Sequence, residues 1–350
     1  MPTEEQGQLT ADQVTTDAVV GPERPSPRKW AKYILASAVT VAIFVVLLRK
    51  IDARGVVEAV RGAQTAPLVG AAVLSIIIKV FVGADKWRRI LAALSCRVPL
   101  GEALFIRTAN APLRVTPGKL GTLLAAVYLW RHRGLAFAKG VSSLMLERLQ
   151  NLTVLLAFIV LGPMFFQVAA PAQLNHLFSG RALLVSAACV VILGTLYAFR
   201  HPLYDLAARR SAKLANVIRD LASCFHEIRA GRQAGLLLYA AVAQAGEITM
   251  GYLIFRALGV SVPFGTVLVG LALIVVVSNI PITLLGFGTR ELTVLYLFSG
   301  YAAQPELLAV GMLISAIGYI LPLAVGLPFL APFLRTLAEP EPAAQANGTP

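Results

Sequence analysis

Asn279-Ile-Pro-Ile-Thr-Leu-Leu-Gly-Phe-Gly-Thr-Arg-Glu291 interrupts an otherwise apolar stretch, 266–299, with a proline, two glycines and an adjacent Arg–Glu pair. A plain transmembrane helix does not carry this composition: Pro281 removes a backbone donor, and Gly286 and Gly288 give the chain freedom to turn. A second stretch, 104–130, has the same character, with Pro112, Pro117, Gly118 and Gly121 among Arg107, Arg114 and Lys119. Each reads as a helix, an unwound turn and a second helix. Non-helical backbone at membrane depth persists only where protein or a wet cavity satisfies its polar groups.

The two stretches also align with each other. Asn110-Ala-Pro112-Leu113 matches Asn279-Ile-Pro281-Ile282, the same register sets Thr122-Leu123 against Glu291-Leu292, and Tyr128-Leu129-Trp130 falls close to Tyr296-Leu297-Phe298. Paired, Pro/Gly-broken hydrophobic segments in the two halves of a membrane protein point to a transporter's binding site. If both re-enter the bilayer, the first from the cytoplasm and the second from outside, they form an inverted repeat. Hydropathy alone leaves full crossings as an equal alternative.

The rest of the chain is that of an integral membrane protein. Of 350 residues, 57% are apolar and 14% charged, more apolar surface than a water-soluble domain can hide. Windows suited to about 30 Å of hydrocarbon fall at about 31–48, 66–84, 141–169, 181–199, 234–257 and 305–330. The expected fold is therefore all-α: a polytopic membrane helical bundle of about six full spans plus the two broken hairpins, occupying residues 29–337. Residues 1–28 and 338–350, rich in Pro, Ala, Gln and Glu, read as disordered tails. Arg28, Lys29 and Lys32 before the first span, without a cleavage site after it, read as a retained signal anchor with a cytoplasmic N-terminus.

The formal charge of +13 does not imply nucleic acid, because Lys and Arg gather in short loops at 86–97, 131–139 and 200–232. Positive-inside topology explains them and places these loops, and the C-terminus, on the cytoplasmic side of a cell membrane. The loop 49–65, with four basic residues, fits this scheme poorly. Leu214, Val217, Leu221, Phe225 and Ile228 recur at helical spacing between basic residues, as in an amphipathic helix on the inner surface or a solvated connector.

Ionisable groups inside apolar helices carry the chemistry, since each costs about 2.5–3.5 kcal/mol at a helix centre. Lys79 lies near enough to a span end to snorkel and is read as structural. The deeper set comprises Arg107, Arg114, Lys119, Arg148 and Arg290 against Glu147, Glu247 and Glu291, a positive surplus. With Asn110 and Asn279 at the helix breaks, these ten residues suit a phosphate headgroup, the free N–H groups of restarting helices adding to the cations. The alternative is internal pairing, for example Glu147 with Arg290, that only fixes packing. Cys96, Cys189 and Cys224 and the four histidines show no ligand spacing, and no catalytic motif is present, so neither metal, cofactor nor catalysis is expected.

Asn110-Ala-Pro-Leu-Arg-Val-Thr-Pro-Gly-Lys-Leu-Gly121, then Leu144-Met-Leu-Glu-Arg-Leu149, and later the Asn279–Glu291 stretch resemble the membrane domain of lysylphosphatidylglycerol synthases and its stand-alone flippase-like relatives. The resemblance spans roughly residues 30–335. It implies translocation of an aminoacylated phospholipid or a polyprenyl-phosphate-linked lipid between leaflets. That family usually has Glu where this chain has Thr122, and Asp where it has Asn151, so the first motif here is more positive. No soluble aminoacyl-transfer domain follows, and lysyl transfer is not expected. The competing expectation is a membrane enzyme, or an accessory subunit of one, in lipid-linked glycan or aminoacyl-lipid assembly, with a biosynthetic membrane enzyme as partner.

Overall fold

A computed structural model describes residues 51–115, 120–166, 230–279 and 286–338, with isolated positions 38, 41, 43, 45, 49, 228 and 283. Every regular element among them is helical. In chain order these are α1 (Ala53–Arg61), α2 (Thr65–Ala93), α3 (Leu100–Ala109), α4 (Leu120–Arg133), α5 (Phe137–Phe165), α6 (Ala230–Ala257), α7 (Phe264–Ser278), α8 (Thr289–Leu297) and α9 (Gln304–Ala338). Helices α2, α5, α6 and α9 are long and apolar enough to cross a bilayer. They match the expected spans at 66–84, 141–169, 234–257 and 305–330. The expected span at 181–199, the two tails before and after the bundle and the basic helix up to 227 lie outside the described residues, and 31–48 is represented by single positions only.

The remaining helices of the core, α3, α4, α7 and α8, have 10, 14, 15 and 9 residues. Each is shorter than the roughly 20 residues a crossing needs. Both pairs fold back on themselves. In the first hairpin the Arg133 guanidinium, at the end of α4, forms an ion pair with Glu102 in the first turn of α3. In the second, the Phe298 ring after α8 lies against Gly270 near the middle of α7, where a Cβ would sit 2.5 Å from it.

Where the hairpins lie relative to the long helices follows from four close approaches at glycine. On α5, Gly140 meets Ala126 of α4 at 3.1 Å, and Gly162 meets Val269 of α7 at 2.8 Å, distances measured to the Cβ that glycine lacks. Those glycines are 22 residues apart, about 33 Å along a helix. On α9 the order is reversed: Gly311 meets Glu291 of α8, and Gly326 meets Pro112 at the tip of the first hairpin. The antiparallel helices α5 and α9 thus hold one hairpin at each end of the bundle. Small residues allow this backbone approach, which is how helices gain contact where lipid supplies no hydrophobic drive.

Helix α1, the loop that fitted poorly with charge topology, begins at Asp52, whose side chain accepts from the Arg54 amide at 3.0 Å. It rests beside α9, with Gly55 against Pro305, at the second hairpin's end of the bundle. Two of the long helices are not regular: α2 contains a π-turn at Ile77–Val82 and α9 another at Ala316–Ile320. Ser75, just before the π-turn of α2, donates its hydroxyl to the carbonyl of Ile317 within the π-turn of α9, 2.7 Å away.

A Gly326→Ala substitution would drive a methyl against the Thr108 carbonyl and Pro112. Overpacking of this kind costs about 1–3 kcal/mol, so thermal unfolding in detergent should shift down clearly, whereas Gly101→Ala, with open space around it, should leave the midpoint in place.

Candidate functional site

The π-turns deliver the side chains at the centre of the bundle. A π-turn rotates the residues that follow it relative to a regular helix and is frequent at functional sites. On α2 it carries Lys79, whose ammonium stands 2.9 Å from Glu247 of α6. On α9 it carries Tyr319, whose ring centre lies 4.9 Å from the Lys79 nitrogen and 3.9 Å from the Arg290 guanidinium. One tyrosine face system therefore serves two cations. A desolvated cation–π contact is worth about 2 kcal/mol, which offsets part of the cost of holding Arg290 1% exposed.

Arg290 and Glu291 owe their position to the restart of α8. Gly286 and Gly288 have φ of 78° and 85°, a left-handed backbone that side chains disfavour, and they turn the chain back into helix. Glu291 reaches back to accept from the Gly288 amide at 2.6 Å, satisfying one of the orphan donors of the new helix. Ser315 of α9 bridges the pair: its hydroxyl accepts from Arg290 Nη1 at 2.8 Å and donates to Glu291 Oε1 at 2.5 Å.

Between these groups lies a small cavity of about 30 Å³, lined by Lys79, Gln244, Glu247, Arg290 and Tyr319 together with apolar residues such as Leu155, Leu271 and Ile314. That is room for about two waters. A headgroup enters only if the surrounding helices part.

From Lys79 the polar groups continue along one face of α2 towards the first hairpin. Lys86 is two turns further on, 2% exposed, and donates to the side-chain carbonyl of Asn151 on α5. It lies within electrostatic reach of Glu147, Arg107 and Glu247. Arg107 of α3 grips Glu147 of α5 with two hydrogen bonds, 2.7 and 2.9 Å. Its guanidinium stands 5.9 Å from the Trp87 ring, and Trp87 in turn donates to Ser143 at 3.1 Å. Three buried polar atoms in this region, Arg107 Nε, Asn110 Oδ1 and Gln150 Oε1, have no hydrogen-bond partner among the described residues. Buried polar atoms are normally satisfied.

A continuous charged seam thus runs through the bundle from one hairpin to the other. Among the described residues it holds four cations, Lys79, Lys86, Arg107 and Arg290, and three anions, Glu147, Glu247 and Glu291.

The residues singled out in the sequence fall as follows. Arg107, Glu147, Glu247, Arg290 and Glu291 are in the seam. Asn110 and Asn279 occupy equivalent positions: each ends its helix, and each donates its side-chain amide to the carbonyl four residues earlier, Ile106 at 2.7 Å and Val275 at 2.9 Å. Asn110 is buried and Asn279 exposed. Arg148 projects to an exposed face of α5, away from its neighbour Glu147. Arg114 sits in a short 3-10 turn, Pro112–Val115, at the hairpin tip, and Lys119 lies outside the described residues.

Two expectations are corrected. Lys79 does not snorkel: it turns inward to Glu247 because the π-turn aims it at the bundle centre. Glu147 pairs with Arg107, not Arg290, since the two hairpins sit at opposite ends of α5 and α9. Lys86, Tyr319 and Ser315 escaped the sequence reading. Lys86 stands in the sequence among the basic residues at 86–97, and the π-turn that precedes it hides its inward direction from a regular helical spacing.

Removing one partner of a buried ion pair strands the other. Glu147→Leu should therefore lower stability by about 3–5 kcal/mol, and the double variant Arg107→Met, Glu147→Leu should regain most of that loss in the same detergent-unfolding assay.

No curated protein matches the sequence. The family model described as the lysylphosphatidylglycerol synthase TM region matches residues 33–326. That range contains both hairpins, both π-turns and every residue of the seam, and the chain belongs to this family of membrane proteins.

Proposed function

We propose that this protein moves a phosphate-bearing lipid, a phospholipid or a polyprenyl-phosphate-linked lipid, between membrane leaflets. The observation that carries this reading is the charged seam joining two hairpins at opposite ends of an apolar bundle. A phosphate leaving water must find counter-charges along the whole route, because isolated charge at membrane depth is prohibitively costly. Cations at successive depths, with carboxylates that hold them when no lipid is present, meet that need. Acyl chains need no such path and can stay in the bilayer beside the bundle.

Inverted broken helices add a second support. In alternating access, two such elements flank a site near the bilayer midplane and open it to one side at a time. The roles then divide. Lys79 and Arg290 hold the phosphate at the centre, Lys86 and Arg107 with Asn110 on the first hairpin's side. Arg114, in the turn that follows α3, and Lys119, close to it in sequence, attract it to the entrance. Glu147, Glu247 and Glu291 position the cations. Arg97, Arg131 and Arg133 gather at the first hairpin's end, which on the positive-inside rule faces the cytoplasm of a cell membrane, with both termini on that side.

In vesicles containing the purified protein and a lipid fluorescent at its headgroup, loss of signal to an impermeant quencher reports leaflet exchange. Arg290→Ala and Glu291→Ala should slow exchange by about tenfold or more, the worth of a charge-assisted hydrogen bond, while Arg148→Ala, on the exposed face, should stay near wild type. Equal rates for all four proteins would contradict translocation through the seam.

A further inference from the structure

Three buried atoms where the first hairpin meets α5 lack hydrogen-bond partners among the described residues: the Arg107 Nε donor and two acceptors, Asn110 Oδ1 and Gln150 Oε1. Their place in the fold brings them together. The ion pair of Arg133 with Glu102 sets the start of α3 beside the end of α4, from which α5 departs, so α3 and α5 leave the same end of the bundle. Arg107 then locks the two helices through two hydrogen bonds to Glu147. Asn110 and Gln150 each stand three residues beyond that lock, about one turn further from the same end.

The pattern of donor and acceptors is well defined. Asn110 and Gln150 are 6% and 5% exposed. The Asn110 amide nitrogen already donates to the Ile106 carbonyl at 2.7 Å, which fixes its oxygen as the unmet end. Both terminal nitrogens of Arg107 are engaged by Glu147, and Nε is the donor left over. Buried polar atoms without partners are costly, so a ligand that completes all three gains from each.

We propose that these three atoms form a subsite for hydroxyl groups, so that the lipid carried bears a neutral polyol, glycerol or a sugar, on its phosphate. This deepens, and rests on, the reading of the chain as a carrier of phosphate lipids. One donor beside two acceptors disfavours the other common headgroup chemistries. A bare phosphate only accepts, and would set its oxygens against those of Asn110 and Gln150. A primary ammonium only donates, and leaves Arg107 Nε unmet. A trimethylammonium does neither. A hydroxyl accepts from Arg107 and donates to one amide oxygen, while a neighbouring hydroxyl donates to the other. Lys86 donates to Asn151, the residue next to Gln150, so a phosphate held by Lys86 has its substituent beside this subsite.

Native mass spectrometry of the purified full chain in detergent tests this with lipids of identical acyl chains. Phosphatidylglycerol and phosphatidylpropanol carry the same phosphodiester and differ only in hydroxyls. Phosphatidylinositol offers a ring polyol, and phosphatidylethanolamine an ammonium. Wild type should bind at least one polyol lipid about tenfold tighter than phosphatidylpropanol, and the tighter of the two tells an open chain from a ring. Gln150→Met removes one acceptor at similar volume and should cut that preference to about threefold or less. Unchanged phosphatidylpropanol binding in the same variant separates a lost hydrogen bond from misfolding. Gln150→Glu, which keeps an acceptor, should keep the preference, and Arg89→Gln, on an exposed side chain, should not alter it.

Equal binding of phosphatidylpropanol and both polyol lipids would leave these atoms to water alone and overturns the proposal. So does phosphatidylethanolamine binding tighter than either polyol lipid, or a preference that survives Gln150→Met undiminished. If lipid exchange between leaflets proceeds without the preference, translocation stands and the subsite falls; if the preference holds with no exchange, the subsite stands and translocation falls.

Discussion

Everything in this bundle answers to one constraint: charge and unpaired backbone placed at membrane depth must be satisfied from within the protein. The Arg290–Ser315–Glu291 cluster shows how. Turning the chain back into helix at Gly286 and Gly288 frees backbone donors, and Glu291 takes one of them. The carboxylate is then buried, so it needs Ser315; Ser315 brings α9 against α8 and also receives Arg290. Arg290 leans on Tyr319, which the π-turn of α9 supplies. Each polar group is fixed by the next, and the broken hairpin is anchored to a full-length helix.

The first hairpin repeats the logic with different chemistry. Arg107 and Glu147 tie α3 to α5, and Lys86 with Asn151 ties α2 to α5. There the helix break is closed by Asn110, as Asn279 closes α7. The shared Asn cap supports the inverted repeat more directly than the few sequence identities do. What differs is the burial: Asn110 is enclosed and Asn279 exposed.

The helical membrane class, four of the long spans and both helix breaks were legible in the sequence because each rests on composition and on Pro and Gly, which act locally. Arg107, Glu147, Glu247, Arg290 and Glu291 were legible because an ionisable residue in an apolar run has no ordinary explanation. Pairing was not legible. Glu147 could reach Arg107 or Arg290 as far as spacing tells, and only the placement of the hairpins at opposite ends of α5 and α9 decides. The π-turns were equally hidden, since no residue type encodes them, and with them went Lys79's inward direction and the part played by Tyr319. Lys86 was obscured by Asp85, Arg88 and Arg89, which surround it in sequence and form their own ion-pair cluster at the helix end.

The central claim is that two broken hairpins enter from opposite faces of the bundle and are joined by the seam between them. Its most direct test is sidedness. In a cysteine-free background, single cysteines at Ala136, beside the first hairpin, and Ala303, beside the second, are both exposed. Labelling with a membrane-impermeant maleimide in sealed, oriented vesicles should modify one from the outside and the other only from the inside. Modification of both from the same side would contradict the account.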